Sequence, residues 1–392
     1  MPMQETALGT IATLRLAVVN SVAFGATTIM PLWVATLPGE RAASPALIAL
    51  TATLQLGACA VANVATGAVF SAIAPVALAR WALVIAALAG FAQSFGPLSL
   101  FVAAAIVAGL AFGVILNATN RVLAGSAQAQ HGYALFQIVE VCFAASLYFG
   151  GALVIDRFGA HALFLELSAC ALVALLVLGR FDHGTPPERT GSAPPSLRAA
   201  LMLASIALFF TGQSSINSFL IPLGERAGLS ATAAASIVGS CMISALLGAI
   251  LARVIGMRFG VTTPVLAIAA VLAVDFTVLG GNTSAALFVA GTVLIMSGTI
   301  MMVPYFFTAL ALLDRSGRYA AIAPAFLLGG VALGPSVALQ LSSRLGFPAL
   351  GLVAAALVLA AATLFVTARA FRRPGAVAPS ALRHAEPERT TP

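Results

Sequence analysis

The chain contains no lysine. Its 19 basic residues are all arginines, and together with 12 acids they leave only 8% of 392 residues charged. A soluble domain carries about 25%. Here 61% of residues are hydrophobic and the mean hydropathy is +1.06. A soluble core of this length cannot enclose that much apolar surface, so lipid must cover a large part of it. Cysteine is scarce as well. Cys59, Cys142, Cys170 and Cys241 all lie within apolar runs, without a disulfide framework or metal-ligand spacing. They read as small buried hydrophobes. The four histidines, His131, His161, His183 and His384, fall in loops or in the tail, and no glycine-rich phosphate loop is present. No metal, cofactor or enzymatic activity is therefore expected. A net charge of +7 would suit nucleic acid, but the arginines are dispersed rather than gathered into a patch, which argues against that partner.

What is abundant is long apolar sequence. Twelve runs occupy roughly 11–36, 46–72, 78–95, 98–122, 132–155, 160–179, 199–222, 231–254, 261–280, 285–312, 319–341 and 347–370. About 20 residues of helix cross ~30 Å of hydrocarbon, so the spacing predicts twelve transmembrane helices joined by short loops. The arginines fall in alternate gaps. Counting the ends, odd-numbered polar stretches hold 15 of the 19, and only Arg41, Arg157, Arg226 and Arg344 fall in even-numbered ones. Positive charge is retained on the cytoplasmic side of membranes, which predicts both termini inside and arginines against anionic lipid head groups. The first run is too long for the apolar core of a signal peptide, and no small-residue cleavage site follows it, so it is expected to remain as the first span.

The widest interior gap contains Pro186, Pro187, Pro194 and Pro195 and reads as a linker. The expected organisation is a six-helix bundle over 1–180, a cytoplasmic linker over 181–198, a second bundle over 199–371 and a disordered cytoplasmic tail over 372–392. An internal repeat supports the two halves. Gly39-Glu40-Arg41-Ala42 recurs as Gly224-Glu225-Arg226-Ala227, Tyr133-Ala134 lines up with Tyr319-Ala320, and Arg157-Phe158-Gly159 with Arg344-Leu345-Gly346. Six-helix repeats are a device of secondary transporters, with the binding site between the halves near the midplane.

Ionisable groups within spans are functional candidates by default. Glu140 is the foremost: it lies about seven residues into the fifth run, and Tyr133, Gln137, Glu140 and Tyr148 fall near one helical face. Because burial disfavours a bare charge, Glu140 is the candidate for proton coupling, the alternative being a neutral structural carboxyl. Arg121 ends the fourth run on a face formed with Gly109, Gly113 and Asn117; it is either the partner of Glu140 or an arginine snorkelling to the interface. Pro304, Gly330, Gly334 and Pro335 are candidate hinges, because proline removes a helical hydrogen bond.

Twelve spans in a 6+6 repeat with a short basic linker resemble the major facilitator superfamily over residues 11–370. Asp314-Arg315-Ser316-Gly317-Arg318 followed by Gly330-Val331-Ala332-Leu333-Gly334-Pro335 resembles its bacterial efflux-permease branch. The loop after the second span departs from the family's charged pattern, keeping Gly67 but reading Ser71-Ala72-Ile73-Ala74-Pro75 where an aspartate and arginines are usual. The resemblance implies a multi-pass protein of a bacterial inner membrane, working as a monomer with protons and a small-molecule substrate as partners. It implies that spans nine and six, which hold Asp275 and Glu166, are supports. It further implies a cavity lined by Asn20, Thr27, Thr28, Asn117, Asn120, Gln137, Gln213, Ser214, Asn217, Thr299, Met302 and Tyr305. Such a lining has few fixed charges and suits a neutral, amphipathic or weakly cationic molecule. The expectation is export by proton antiport, the alternative a proton-coupled importer or facilitator of a neutral metabolite, and a third a membrane sensor that kept the fold.

Overall fold

A computed structural model describes residues 8–70, 72–179, 196–281, 283–314 and 317–370. Among them the regular structure is entirely helical: α1 (Thr10–Thr28), α2 (Met30–Glu40), α3 (Pro45–Val69), α4 (Pro75–Phe95), α5 (Leu98–Ala124), α6 (Ala129–Phe158), α7 (Ala162–Leu178), α8 (Leu197–Asn217), α9 (Leu220–Arg226), α10 (Ala231–Cys241), α11 (Ser244–Ile255), α12 (Thr262–Gly281), α13 (Ala285–Ala311) and α14 (Arg318–Ala370). Ten segments are long and apolar enough to cross a membrane, and α7 is a shorter apolar helix. One of the ten, α14, runs 53 residues but holds Gly346 at φ 79° and ψ 176°. It is thus two spans meeting at a sharp corner, and twelve spans result. The predicted linker falls outside the described residues up to position 195, as does the predicted tail.

Three spans are broken where the sequence predicts continuity. Span one divides into α1 and α2, span seven into α8 and α9, and span eight into α10 and α11. The first two breaks stand just before Pro31 and Pro222, which lack the N–H that would continue the helix. The predicted hinges, by contrast, interrupt nothing. Helix α13 runs through Pro304, and α14 runs through Pro324 and Pro335. A Cβ on Gly330 would lie 2.4 Å from Ala207 O, and one on Gly334 would lie 2.5 Å from Ser214 Cβ, so these glycines let α14 press against α8. The carbonyl that Pro335 leaves unpaired, Val331 O, accepts from Ser214 Oγ at 2.9 Å. A neighbouring hydroxyl therefore replaces what proline removes.

Helices α1–α7 pack among themselves, chiefly α3 and α4 on α5, α1 on α6, and α4 on α7. In the second set α8 packs on α14, α11 on α13, and α12 on α13 and α14. The sets meet where α3 and α5 touch α14 and where α6 touches α11 and α13. Small residues bring backbones together in the absence of a hydrophobic drive between helices: Cβ atoms on Gly109 and Gly113 would each lie 2.2 Å from a carbonyl oxygen of α3.

Two of the three repeated motifs stand at helix ends. Arg41 donates to Gly96 O at 3.0 Å, to Ser94 O at 2.9 Å and to Gln93 O, closing the carboxyl end of α4. It also stacks 4.9 Å above the Phe101 ring. Arg226 does the same in the second set, donating to Gly280 O at 3.1 Å at the end of α12 and lying 5.1 Å over Phe347. Two of the four arginines that break the charge alternation are thus held by helix carbonyls, where a cation is favourable. Glu40 accepts from the Ala160 and His161 amides at the start of α7. Gly159 (φ 84°, ψ 168°) and Gly346 share one left-handed conformation at equivalent corners, which explains the third match. Arg226→Ala is expected to destabilise the second set by about 1–2 kcal/mol; an unchanged unfolding midpoint in detergent would count against the cap.

Candidate functional site: a cavity between the two helix sets

A cavity of about 830 Å³ lies between the sets. From the first set it is lined by Asn20, Phe24, Thr27, Met30 and Val34, by Ala49, Ala52, Thr53 and Leu56, and by Asn120, Tyr133, Phe136, Gln137 and Glu140. From the second it is lined by Phe210, Ile300, Val303, Phe307, Leu327, Leu328, Val331 and Pro335. Every polar side chain comes from the first set, and every residue of the second is apolar.

The cavity is closed at the end of the bundle where α3 and α11 finish and α6 and α14 begin. Asn63 Nδ2 donates to Ala321 O at 3.1 Å and Gln130 Nε2 to Ala252 O at 2.8 Å. Arg253 Nη1 donates to His131 O at 3.1 Å. Among the described residues, these are the hydrogen bonds that cross between the sets. Above them the floor is aromatic: the Tyr133 and Phe307 rings meet edge-on at 5.4 Å, one from each set. Toward the opposite end the second half of α6 and the stretch 331–347 of α14 are largely exposed or half-buried. The cleft is therefore shut below and open above.

Two sets of six spans, related by an internal repeat and enclosing a midplane cleft, define an architecture shared with solved transporters. The E. coli fucose:proton symporter superposes with TM-score 0.74, at 15% identity over 91% of this chain and 98% of that one. A major facilitator superfamily proton:xylose symporter gives 0.74, at 14% identity over 91% and 95%. A bacterial homologue of the iron transporter ferroportin, in an outward-facing state, gives 0.73, at 15% identity over 92% and 100%. The chain has the major facilitator fold. Its sequence matches no family model and no curated protein. These three solved neighbours are transporters or a transporter homologue.

Within the major facilitator fold, Glu140 stands eleven residues past Ala129, the first residue of α6, or about 17 Å along the helix. This is deeper than the apolar run indicates, because α6 begins before the run does. Gln137 Nε2 donates to Glu140 Oε2 at 3.1 Å. Asn120 Nδ2 donates to Leu116 O at 2.8 Å and to Asn20 Oδ1 at 3.3 Å, and the Tyr133 hydroxyl donates to Asn120 O at 3.3 Å. Asn20, Asn120, Tyr133, Gln137 and Glu140 thus form one polar recess above the floor. Arg121 is not part of it. Among the described residues Arg121 makes no ion pair, and its backbone packs against Gly317 at the closed end.

Of the remaining predicted lining residues, Thr27 faces the cavity, and so does Pro335, which the sequence offered as a hinge. Thr28 and Thr27 both return their hydroxyls to Phe24 O. Asn117 is turned onto α3, where its Nδ2 donates to Asn63 O at 2.8 Å. Ser214 donates to Val331 O of α14, Asn217 is exposed, and Gln213, Thr299, Met302 and Tyr305 are buried away from the cavity. The second set instead contributes Phe210, Ile300, Val303, Phe307, Leu327 and Leu328, none distinguishable by residue type from a lipid-facing side chain. Asp275 and Glu166 lie elsewhere too. The Asp275 carboxyl packs beside Gly291 of α13, and that of Glu166 beside Gly150 and Gly151 of α6.

Proposed function

We propose that this protein is a secondary active transporter that exports a small amphipathic organic molecule by alternating access, in exchange for protons. The observation that carries this reading is that Glu140 is the one carboxyl group among the cavity-lining residues, set between two helix sets that can rock about it. Protons and substrate would use the same carboxyl group by turns, and the absence of paired basic groups in the lining disfavours phosphate esters and other polyanions. By the charge rule the arginine-rich face would lie in the cytoplasm, and the resemblance to the efflux-permease branch implies a bacterial inner membrane. The cleft then opens to the outside in this conformation. Residues 1–180 and 199–371 would be the two rocking bundles, with 181–198 joining them and the protein acting as a monomer.

The test is flux in inside-out vesicles. With a respiration-driven acid interior, vesicles containing the protein should accumulate a fluorescent aromatic amine above control vesicles, and a protonophore should abolish the difference. The fucose and xylose neighbours are proton symporters, so import is the alternative. Accumulation confined to right-side-out vesicles would replace export with import.

A further inference from the structure

The polar recess has an unbalanced hydrogen-bond inventory. The Asn120 amide is oriented by its bond to Leu116 O at 2.8 Å, which leaves Asn120 Oδ1 without a donor. Gln137 is oriented by its bond to Glu140, which leaves Gln137 Oε1 without a donor. Asn120 is 1% exposed and Gln137 5%. The Tyr133 hydroxyl proton is already committed to Asn120 O. Two buried acceptors and one carboxyl group therefore share a recess in which the Tyr133 proton and both Asn120 N–H groups are committed elsewhere, and the remaining donors, on Asn20 Nδ2 and Gln137 Nε2, reach neither acceptor. A buried acceptor lacking a donor is destabilising, and a ligand that brings N–H groups removes that cost. Facing the recess, Phe210, Ile300, Val303, Phe307, Leu327 and Leu328 offer only carbon.

We infer that the substrate is an amphipathic amine bound as an ammonium ion that still carries N–H bonds, its head on Asn120, Gln137 and Glu140 and its apolar body against the second helix set. This rests on the transporter reading and narrows it. Charge alone does not satisfy the site, because an amide oxygen wants a donor. A protonated Glu140 releases its proton to solvent as the ammonium arrives, so the bound pair is neutral and the proton and the ligand exclude one another. A quaternary ammonium brings the charge without the donors. A neutral alcohol brings a donor without the charge.

Three probes separate these cases: naphthylethylammonium, its N-trimethylated analogue and naphthylethanol, titrated against the full chain in lipid nanodiscs with no gradient applied. The primary ammonium should bind at least about tenfold more tightly than the trimethylated one, which is the loss of one charge-assisted hydrogen bond, and more tightly than the alcohol. Gln137→Leu, or Gln137→Met should the first not fold, should bring the two ammonium affinities to within about threefold. Leu328→Ala should weaken all three probes while leaving their ratio intact. Equal affinity of the unaltered protein for the two ammonium ions would overturn the inference, as would the absence of saturable binding of either. Because no gradient is applied, a failed preference counts against this ligand class whatever the vesicle experiment returns.

Discussion

Glu140→Gln is expected to reduce accumulation against a gradient to the level of vesicles that lack the protein, while downhill exchange persists. Glutamine keeps the length and shape of the side chain and can still meet Gln137, whose Nε2 bonds to Oε2 of the native carboxyl at 3.1 Å. It cannot gain or lose a proton. The effect should be large because nothing in the cavity can take over: Glu140 is the one carboxyl among the lining residues, and Asp275 and Glu166 are packed against other helices. A variant that accumulates amine as the native protein does would remove Glu140 from the coupling step.

The double substitution Asn63→Ala with Gln130→Ala is expected to open the closed end. At the closed end two side-chain amides, with one arginine, bridge the two helix sets. Each donates across the gap to a backbone carbonyl of the other helix set, Ala321 O and Ala252 O. A neutral hydrogen bond contributes about 0.5–1.5 kcal/mol, so losing both shifts the conformational balance by roughly tenfold or more. A cysteine at Thr27, midway along the cavity, reads this out. An impermeant thiol reagent applied to the cytoplasmic face should label it at least about tenfold faster in the double variant, and labelling from the outer face reports that the fold is retained. Equal cytoplasmic rates would mean that these amides do not hold the gate. The bridges that Asn63 and Gln130 make have no titrating partner, so salt and mild pH change should leave these two bridges intact.

The membrane-spanning plan was legible because it rests on one crude quantity, apolar length. Repeat matches of two to four residues were legible too, and the structure supplies the cause of two of the three: arginine caps at α4 and α12, and left-handed glycines at 159 and 346. The helix breaks near Pro31 and Pro222 were less so. Proline at other positions, such as Pro304 and Pro335, leaves its helix intact, and only the neighbouring chain decides the outcome. Ser214 illustrates this, since its hydroxyl serves the carbonyl freed by Pro335. In the site, polar residues of the first set stood out against an apolar background, so Asn20, Asn120, Gln137 and Glu140 could be picked out. The second set's wall could not. Gln213 and Thr299 drew attention because they are polar, yet the cavity surface there is Phe210, Ile300 and Leu328. A residue type says little about which of two apolar surroundings, lipid or cleft, it faces.

One consequence follows from the lopsided lining. Polar side chains line the cavity from residues 10–178 alone, and the facing wall of phenylalanine, leucine, isoleucine and valine offers no directional bond. If the bundles tilt as proposed, a guest would ride with the first set and slip along the second. No bond to the sliding surface would have to be broken in transit, which would remove one source of friction that a symmetric clasp would impose.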